Sequence, residues 1–331
     1  MKPNTIPTLL FAAAHRHPTL AAIEQNGIVI SYAELEHWAL CAARALISLG
    51  VEPGDRVGIW APNLPEWVVA ALGVHCAGAV LVPINTRMKG AEAADILARS
   101  GARVLFCVGD FLGAYYPDML RDQRPATLEH VIVVGGMPRH AGGRDMDWSA
   151  FLDCAVGVEE SAARQTALNV AAGDLADLLF TSGTTGRPKG VMSTHGAAVR
   201  AFTEYAKVIG LVRGDRYLIV NPFFHSFGYK AGWLTCLIAG ATILPQAVFD
   251  ADDILDRIQR DRISVMPGPP TLYLTMLAHP RLAQADLSSL RVAVTGAAAI
   301  PPILIERMRK ALNIRVVTTA YGLTECGGLA T

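Results

Sequence analysis

The sequence predicts an α/β protein with two doubly wound, mostly parallel sheets flanked by helices. Predicted strands and helices alternate in two separate stretches, and most strands are continuous apolar runs. Hydrophobic residues make up 52% of the chain and charged residues 18%. Alternation favours parallel pairing through helical crossovers, and continuous apolar strands are typical of sheets covered on both faces. A length of 331 residues is enough for a large core and for about two domains.

The first alternating stretch lies in the amino-terminal third of the chain. A helix follows the capping-box sequence Ser31-Tyr32-Ala33-Glu34 and ends at Gly50. The later elements predicted there are a strand at 56–61, a helix at 65–76, a strand at 79–85, a helix at 91–100 and a strand at 103–108. The apolar run 67–84 approaches the length of a membrane span, but it contains His75 and Pro83. These residues favour a buried helix followed by a buried strand.

A looser segment separates the two stretches. Residues 115–174 are rich in Pro, Gly, Asp and Arg, which predicts a connecting segment and two α/β subdomains, at 1–170 and 171–331. The second stretch contains predicted strands at 217–221, 242–244, 263–266, 290–295 and 315–319, and helices at 230–238, 252–261, 271–278 and 301–312.

The charge balance and the spacing of the cysteines indicate which kinds of binding partner to expect. Lys plus Arg equals Asp plus Glu at 29 each, so no overall positive field attracts nucleic acid or an anionic membrane. The six cysteines are far apart and form no C-x-x-C pair, which indicates reduced thiols and a cytoplasmic protein. The amino terminus has no secretory signal pattern. We therefore expect a small-molecule substrate, no nucleic acid and no stable membrane insertion, and the sequence leaves a homodimer open.

The most informative segment is Leu178-Leu179-Phe180-Thr181-Ser182-Gly183-Thr184-Thr185-Gly186-Arg187-Pro188-Lys189-Gly190-Val191. Its glycines free the backbone to approach a polyanion, its hydroxyls are donors, and Lys189 adds a mobile positive charge. It is not a Walker A loop, because Gly190 follows Lys189 where Ser or Thr is required. The flanks predict a phosphate-handling loop between two strands. The alternative is a solvated Ser/Thr/Gly turn.

Three further segments follow predicted strands. The first, 221–228, contains His225, which by itself is more typical of a core histidine than of a catalytic one. The second, 294–299, places small residues at the carboxyl end of a strand, where they leave room for a flat ring or allow close helix packing. The third, 320–325, combines a ring, a glycine, a hydroxyl and a carboxylate, which can hold a base, a phosphate and a hard cation. Its alternative is a surface turn.

Together these four segments resemble the adenylate-forming superfamily, which contains acyl-CoA synthetases, luciferases and the adenylation domains of nonribosomal peptide synthetases. The match runs in the expected order from about Pro7 to Thr331. The resemblance implies, over 1–331, the amino-terminal AMP-binding domain of an acyl-CoA synthetase, without the carboxyl-terminal mobile domain that brings a lysine needed for adenylation. Because the chain stops at Thr331, we expect it not to complete acyl-CoA synthesis alone.

The resemblance also implies roles for individual residues. The ATP-binding residues are Thr181, Ser182, Gly183, Thr184, Thr185, Gly186, Lys189, Gly296, Ala297, Ala298, Tyr321, Gly322 and Thr324. The catalytic residues are Lys189, His225, Thr324 and Glu325, with Glu325 binding Mg²⁺. The acyl pocket contains His225, Phe227, Gly228, Tyr229, Pro267, Gly268 and Pro269. ATP, Mg²⁺ and coenzyme A are the cofactors and partners it implies, with a carboxylic acid as substrate.

The substrate is implied by finer similarities. No acidic residue lies between Asn221 and Gly232, which disfavours an amino acid. The strings 221–232 and 265–273 resemble bacterial CoA ligases of steroid degradation, within lipid and fatty acid metabolism. Those ligases activate the propanoate arm of a methyl-hydrindanedione remnant, abbreviated HIP. Lys230 either starts a solvated helix or meets a distant keto oxygen of such an acid, and the first interpretation is the more typical of a lysine.

Two other functions share these segments. A luciferase-like or acyl-AMP-only enzyme forms the adenylate without a thioester. A non-catalytic nucleotide-binding module forms neither product. The presence of Lys189, His225 and Glu325 together argues against the binding module, since a descendant that only binds need not keep all three.

Overall fold

A computed structural model describes residues 3–139, 145–181 and 187–328. Its strands are β1 (Ala21–Gln25), β2 (Ile28–Ser31), β3 (Arg56–Trp60), β4 (Val80–Pro83), β5 (Val104–Val108), β6 (Asp110–Phe111), β7 (Ala114–Tyr115), β8 (His130–Val134), β9 (Asp145–Asp147), β10 (Leu175–Thr181), β11 (Lys189–Thr194), β12 (Arg216–Ile219), β13 (Thr242–Pro245), β14 (Val265–Gly268), β15 (Val292–Gly296) and β16 (Val316–Ala320).

The described α-helices are α1 (Ile6–Arg16), α2 (Tyr32–Ser48), α3 (Pro65–Cys76), α4 (Gly90–Ser100), α5 (Tyr116–Leu120), α6 (Trp148–Asp153), α7 (Glu160–Asn169), α8 (His195–Val208), α9 (Ser226–Gly228), α10 (Thr235–Ala239), α11 (Ala251–Arg260), α12 (Pro270–Leu277) and α13 (Pro302–Ala311). A π-helical segment covers Tyr229–Leu234. Short 3-10 helices cover Arg121–Gln123, Cys154–Gly157, Leu282–Gln284 and Thr324–Cys326.

The first of two compact units comprises Met1–Arg16 and Ala33–Val199. Its seven-stranded sheet has the order β11-β10-β4-β3-β5-β8-β9. Neighbouring strands are parallel except β10 and β11, which form an antiparallel hairpin. Every residue of β4 and β5 is buried, as expected for central strands of a parallel sheet covered on both faces.

The second unit comprises His17–Tyr32 and Arg200–Thr331. Its seven-stranded sheet has the order β16-β15-β14-β12-β13-β1-β2, parallel except for the β1–β2 hairpin. Helices α11, α12 and α13 contribute apolar side chains to one cluster with strands β14 and β15. Burial of this cluster removes apolar surface from water and anchors the sheet whose strand ends carry the candidate site.

The structure confirms the fold class of two mostly parallel sheets flanked by helices. The apolar run 67–84 forms α3 and β4, as predicted, and no helix in the described ranges is long and apolar enough to cross a membrane. The segment 115–174, predicted to be a connecting segment, is part of the first unit. It contains helices α5, α6 and α7 and strands β8 and β9, which extend the first sheet.

The division between the units differs from the predicted boundary at residue 170. Strand β10 pairs with β4, and β11 pairs with β10, so these two strands belong to the first sheet. Residues 17–32 join the second unit because β1 pairs in parallel with β13, where Ile23 lies opposite Ile243. Pairing between residues this far apart in the chain leaves no local signal in the sequence.

Candidate nucleotide- and acid-binding site

Four of the predicted segments lie at the carboxyl ends of neighbouring strands in the second sheet. In the sheet these strands are adjacent in the order β16, β15, β14, β12. The segment 221–228 follows β12, 267–269 ends β14, 296–298 ends β15 and 321–325 follows β16. Because the carboxyl edge of an open parallel sheet is where α/β proteins bind ligands, this edge is the candidate site.

Strands β15 and β16 bring the third and fourth segments side by side. Gly296 lies opposite Ala320 in the register of these strands. A Cβ at residue 296 would stand 2.3 Å from the carbonyl oxygen of Ala320, so only glycine fits there. The next residue, Ala297, has a left-handed φ of 64°, which costs an L-amino acid about 1 kcal/mol. The turn therefore leaves β15 abruptly and exposes Ala297 and Ala298 to solvent.

The segment after β16 folds back on itself. Tyr321 is 60% exposed and Glu325 is also exposed. The carbonyl oxygen of Leu323 accepts hydrogen bonds from the amides of Cys326 at 3.0 Å and Gly328 at 2.9 Å, which closes the turn around Thr324. An exposed aromatic ring, a hydroxyl and a carboxylate are thus presented within five residues.

Gly328 brings this turn against the histidine segment. Its φ is 102°, and a Cβ on it would lie 2.8 Å from the Cβ of the buried residue Ser226. A larger side chain at position 328 would therefore separate the turn from the residue that follows His225. Within the second unit, Gly328, three residues after Glu325, thus lies against segment 221–228.

His225 stands at the start of α9. Its carbonyl oxygen accepts from the amides of Gly228 at 3.0 Å and Tyr229 at 2.9 Å. The amide of Phe227 donates to its Nδ1 at 3.4 Å, so the neutral ring carries its hydrogen on Nε2. Desolvation lowers the pKa of His225, although the residue retains surface exposure. Neutral at pH 7, the ring offers Nε2–H as a donor to an anionic oxygen.

The predicted acyl-pocket residues lie at the ends of β12 and β14. Gly228 is buried, and a Cβ there would lie 2.2 Å from the carbonyl oxygen of Asn221, so glycine lets the helix approach the strand end. The side-chain amide of Asn221 donates to the carbonyl oxygen of Pro267 at 3.3 Å and joins the two strand ends. Phe227 and Pro269 are half-buried, and Tyr229, Pro267 and Gly268 are buried.

The segment predicted to handle phosphate is flanked by two strands of the first unit. Thr181 ends β10 and Lys189 begins β11, and the two residues lie opposite each other in the hairpin. The two predicted flanking strands are present, and Lys189 is exposed. The remaining predicted residues of the loop, 182–186, lie outside the described residues.

Thr295, Ser226 and Gly328 belong to the site but were not assigned by sequence reasoning. The Thr295 hydroxyl is buried and has no hydrogen-bond partner among the described residues. A threonine ending the apolar strand Val292–Gly296 was the available signal. Ser226 and Gly328 gave no signal, because their contact joins residues that are distant in the chain.

One exposed carboxylate on the carboxyl edge, that of Glu325, is of the type that binds Mg²⁺. No cluster of three or more His, Cys, Asp or Glu residues suited to a metal occurs in the part of the chain that the structure describes. Mg²⁺ is commonly held by one or two carboxylates together with phosphate oxygens and water. The exposed carboxylate of Glu325 matches this pattern.

This sheet edge, with its glycine turn, aromatic ring, hydroxyl and carboxylate, defines a nucleotide-binding α/β protein. The chain matches the family described as AMP-binding enzyme over residues 10–331 and belongs to that family. The family predicted from the sequence motifs is thereby confirmed.

Two relatives are CoA ligases of the same name. The chain is 47% identical over 328 residues to the 3-[(3aS,4S,7aS)-7a-methyl-1,5-dioxo-octahydro-1H-inden-4-yl]propanoyl:CoA ligase of Mycobacterium tuberculosis, covering 99% of this chain and 64% of the relative. It is 44% identical over 328 residues to the ligase of that name from Rhodococcus jostii, covering 98% of this chain and 63% of the relative. These matches confirm the resemblance to HIP-CoA ligases. The chain spans just under two thirds of the length of these relatives.

A solved structure gives the same fold. The inhibitor-bound N-terminal domain of FACL13 from Mycobacterium tuberculosis matches with a TM-score of 0.84 and 29% identity, covering 98% of this chain and 78% of that chain. The prediction of an N-terminal-domain fold of an acyl-CoA synthetase agrees with this match.

Proposed function

We propose that the chain forms the nucleotide- and acid-binding part of an AMP-forming carboxylic acid:CoA ligase. The observation that supports this most strongly is that three family segments, 221–228, 294–299 and 320–325, lie with the acyl-pocket residues 267–269 at the carboxyl edge of the second sheet, at the ends of β12, β15, β16 and β14. The whole protein would use ATP, Mg²⁺ and coenzyme A.

The proposed reaction has two steps. A carboxylate oxygen of the acid attacks the α-phosphorus of ATP, the bond to pyrophosphate breaks, and an acyl-adenylate forms. The thiolate of coenzyme A then attacks the acyl carbon, and AMP leaves with the oxygen. The first step brings anions together, so its barrier falls when fixed donors and cations neutralise the phosphate oxygens.

The described residues have distinct proposed roles in the first step. Tyr321, exposed beside the Gly296 turn, stacks on adenine, and Thr324 donates to the α-phosphate. Glu325 would hold Mg²⁺, whose charge would offset that of the phosphates. Lys189, exposed at the start of β11, and loop residues 182–186 bind phosphate oxygens. The Nε2–H of His225 orients the carboxylate for attack.

We propose a hydrophobic bicyclic keto acid as the substrate. The support is the named activity of the two relatives at 47% and 44% identity, together with the burial of Tyr229, Pro267 and Gly268 near the ends of β12 and β14. The apolar side chain of Phe227 suits an apolar ring system. The cytoplasmic location and the homodimer stay predictions from the sequence.

A panel of carboxylic acids tests the proposed function. The protein at its natural length is incubated with ATP, Mg²⁺, coenzyme A and each acid, and AMP and acyl-CoA are quantified. We expect both products, with the bicyclic keto propanoate preferred over straight-chain acids. AMP and acyl-adenylate without thioester would indicate an acyl-AMP-only enzyme. Neither product with any acid would indicate a binding module and contradict the proposal.

A further inference from the structure

Gly328 lies where two segments with different proposed tasks meet. It follows Thr324 and Glu325 in the same turn, which the proposed reaction assigns to phosphate and Mg²⁺. A Cβ on Gly328 would stand 2.8 Å from the Cβ and 3.1 Å from the Oγ of Ser226, the residue after His225. Carbon atoms in ordinary contact lie about 3.5–4.0 Å apart. The backbone at position 328 therefore approaches the histidine segment more closely than a residue with a side chain would allow.

The turn 323–328 is closed by its own backbone hydrogen bonds. The amide of Gly328 donates to the carbonyl oxygen of Leu323 at 2.9 Å. Inside this ring, the amide of Gly327 donates to the carbonyl oxygen of Thr324 at 2.9 Å. These two bonds tie the ends of the turn to its middle. A displacement of Gly328 therefore carries Thr324 and Glu325 with it.

The histidine segment has little room to retreat from the turn. Ser226 is buried and is the first residue of the short helix α9. At the other end of α9, a Cβ on Gly228 would lie 2.2 Å from the carbonyl oxygen of Asn221, so the helix already touches the backbone after β12. The buried ring of Phe202 lies 3.5 Å from the Cβ position of residue 328 and closes that side. A side chain at position 328 would therefore displace the turn and not the helix.

The displacement can be compared with the precision that a reaction between two bound ligands needs. Moving two carbon atoms from 2.8 Å to an ordinary contact distance requires a shift of about 1 Å. A misplacement of about 1 Å between reacting groups can cost about 100-fold in rate. Gly328 also has a left-handed φ of 102°, which by itself favours glycine. The close contact and the backbone angle are separate constraints, and an experiment can distinguish them.

We propose that Gly328 is a positioning residue, whose contact with Ser226 sets the distance between the phosphate-binding turn and the histidine that orients the acid. This inference rests on the proposed function and adds the contact that aligns its two ligands. In that reaction Thr324 holds the α-phosphate and His225 holds the attacking carboxylate. Attack on phosphorus requires the two ligands at contact distance and in the right orientation. Gly328 touches neither ligand and acts through the segments that hold them.

The test compares four variants of the protein at its natural length. Gly328→Ala introduces the close contact. Gly327→Ala is the matched control, because Gly327 has a φ of 78° but no atom within 4 Å of its Cβ position. Ser226→Gly removes the Cβ and Oγ that residue 328 would strike, and it is made alone and together with Gly328→Ala. Acid-dependent ATP–pyrophosphate exchange with the bicyclic keto propanoate gives kcat and KM, and thermal unfolding shows whether each variant is folded.

We expect Gly328→Ala to lower kcat for exchange by about 10- to 100-fold. The KM values for ATP and for the acid should change by less than about threefold, because both ligands still bind but are misaligned. Gly327→Ala should keep kcat within about threefold of wild type, since its methyl group meets no neighbour. In the double variant, Ser226→Gly makes room for the methyl group of residue 328. Its kcat should return to within about threefold of that of Ser226→Gly alone.

Other outcomes would overturn the inference. If exchange does not recover in the double variant, or if Gly327→Ala loses as much as Gly328→Ala, backbone strain and not the contact with Ser226 causes the loss. If Gly328→Ala does not fold, a folded and active double variant supports the contact, and a double variant that stays unfolded contradicts it. Normal exchange in Gly328→Ala would overturn this inference alone, whereas wild type without exchange on any acid would overturn the proposed function.

Discussion

The carbonyl oxygen of Ala320 occupies the place where a side chain of residue 296 would begin, 2.3 Å from the Cβ that Gly296 lacks. This contact holds the turn after β15 against the end of β16 and joins two segments of the proposed nucleotide site. Backbone atoms make the contact on one side, so a side-chain rotation on the Ala320 side cannot relieve a clash.

Replacing Gly296 by alanine should therefore damage both binding and stability. We expect Gly296→Ala to lower the free energy of unfolding by about 1–3 kcal/mol, as for other overpacked sites, and to lower kcat/KM for adenylation at least tenfold. Urea denaturation and acid-dependent ATP–pyrophosphate exchange measure the two effects. Gly173 is the control, since a Cβ there has no atom within 4 Å. If Gly173→Ala and Gly296→Ala lower the free energy of unfolding and kcat/KM equally, the close contact between residue 296 and Ala320 is not the cause.

The lowered pKa of His225 sets the acid limb of activity. Desolvation shifts the pKa below its ordinary value of 6.5, so the ring is neutral at pH 7 and becomes charged as pH falls through the lowered pKa. A charged ring cannot accept the Phe227 amide at Nδ1. We expect kcat/KM for adenylation to be constant near pH 7 and to fall below pH 6.5. In His225→Gln we expect kcat/KM for adenylation to be lower by about tenfold or more and no longer to fall with decreasing pH. If the variant shows the same fall of kcat/KM below pH 6.5 as wild type, a group other than His225 causes it.

Buried His195 makes the stability of the first unit sensitive to acid. Its Nδ1 accepts the amide of Ile6 at 3.4 Å, and burial lowers its pKa to about 4. In the unfolded chain the pKa is about 6.5, so the unfolded state binds the proton first as pH falls. The contribution of neutral His195 to the free energy of unfolding is fully present above pH 6.5 and is lost as pH falls through 4. The total loss is about 3 kcal/mol.

Denaturation at pH 7 and pH 4.5 measures this loss. In His195→Gln, which keeps an acceptor but does not titrate, we expect the difference between the two pH values to shrink by about 2 kcal/mol. The exposed residue His37 is the control, and His37→Gln should behave as wild type. A pH dependence that is the same in all three proteins would show that other groups carry it.

The sequence predicts well the helices and strands that have a regular pattern of apolar residues. Strand and helix periodicity located the elements from β3 to β5 and from β12 to β16, and the strand ends then placed Gly296 and Tyr321 on one edge. Parallel pairing makes this possible, because successive strands point the same way and their carboxyl ends share an edge. The family motifs fall at those ends.

Long-range pairing and burial escaped prediction for a physical reason. The hairpin β1–β2 joins the second sheet through Ile23 and Ile243, and no pattern within either segment encodes its partner. Lys230 has the polarity of a surface residue and was expected to start a solvated helix, but it is fully buried, with its Nζ 5.7 Å from the ring centroid of Tyr229. Strand β9 (Asp145–Asp147) is a short polar edge strand, and such a sequence is equally typical of a loop. Strand β8 has four consecutive apolar residues, Val131–Val134, so its signal was present in the sequence and was missed.

The central claim is that the carboxyl edge of the second sheet binds the nucleotide that activates an acid. Acid-dependent ATP–pyrophosphate exchange by the protein at its natural length, compared between wild type and Glu325→Gln, tests it most directly. Glu325 is exposed, so this substitution should leave the unfolding curve unchanged. We predict that exchange falls at least 100-fold at 5 mM Mg²⁺ and is partly recovered at about tenfold higher Mg²⁺. Exchange at the wild-type rate in a folded Glu325→Gln variant would contradict the account.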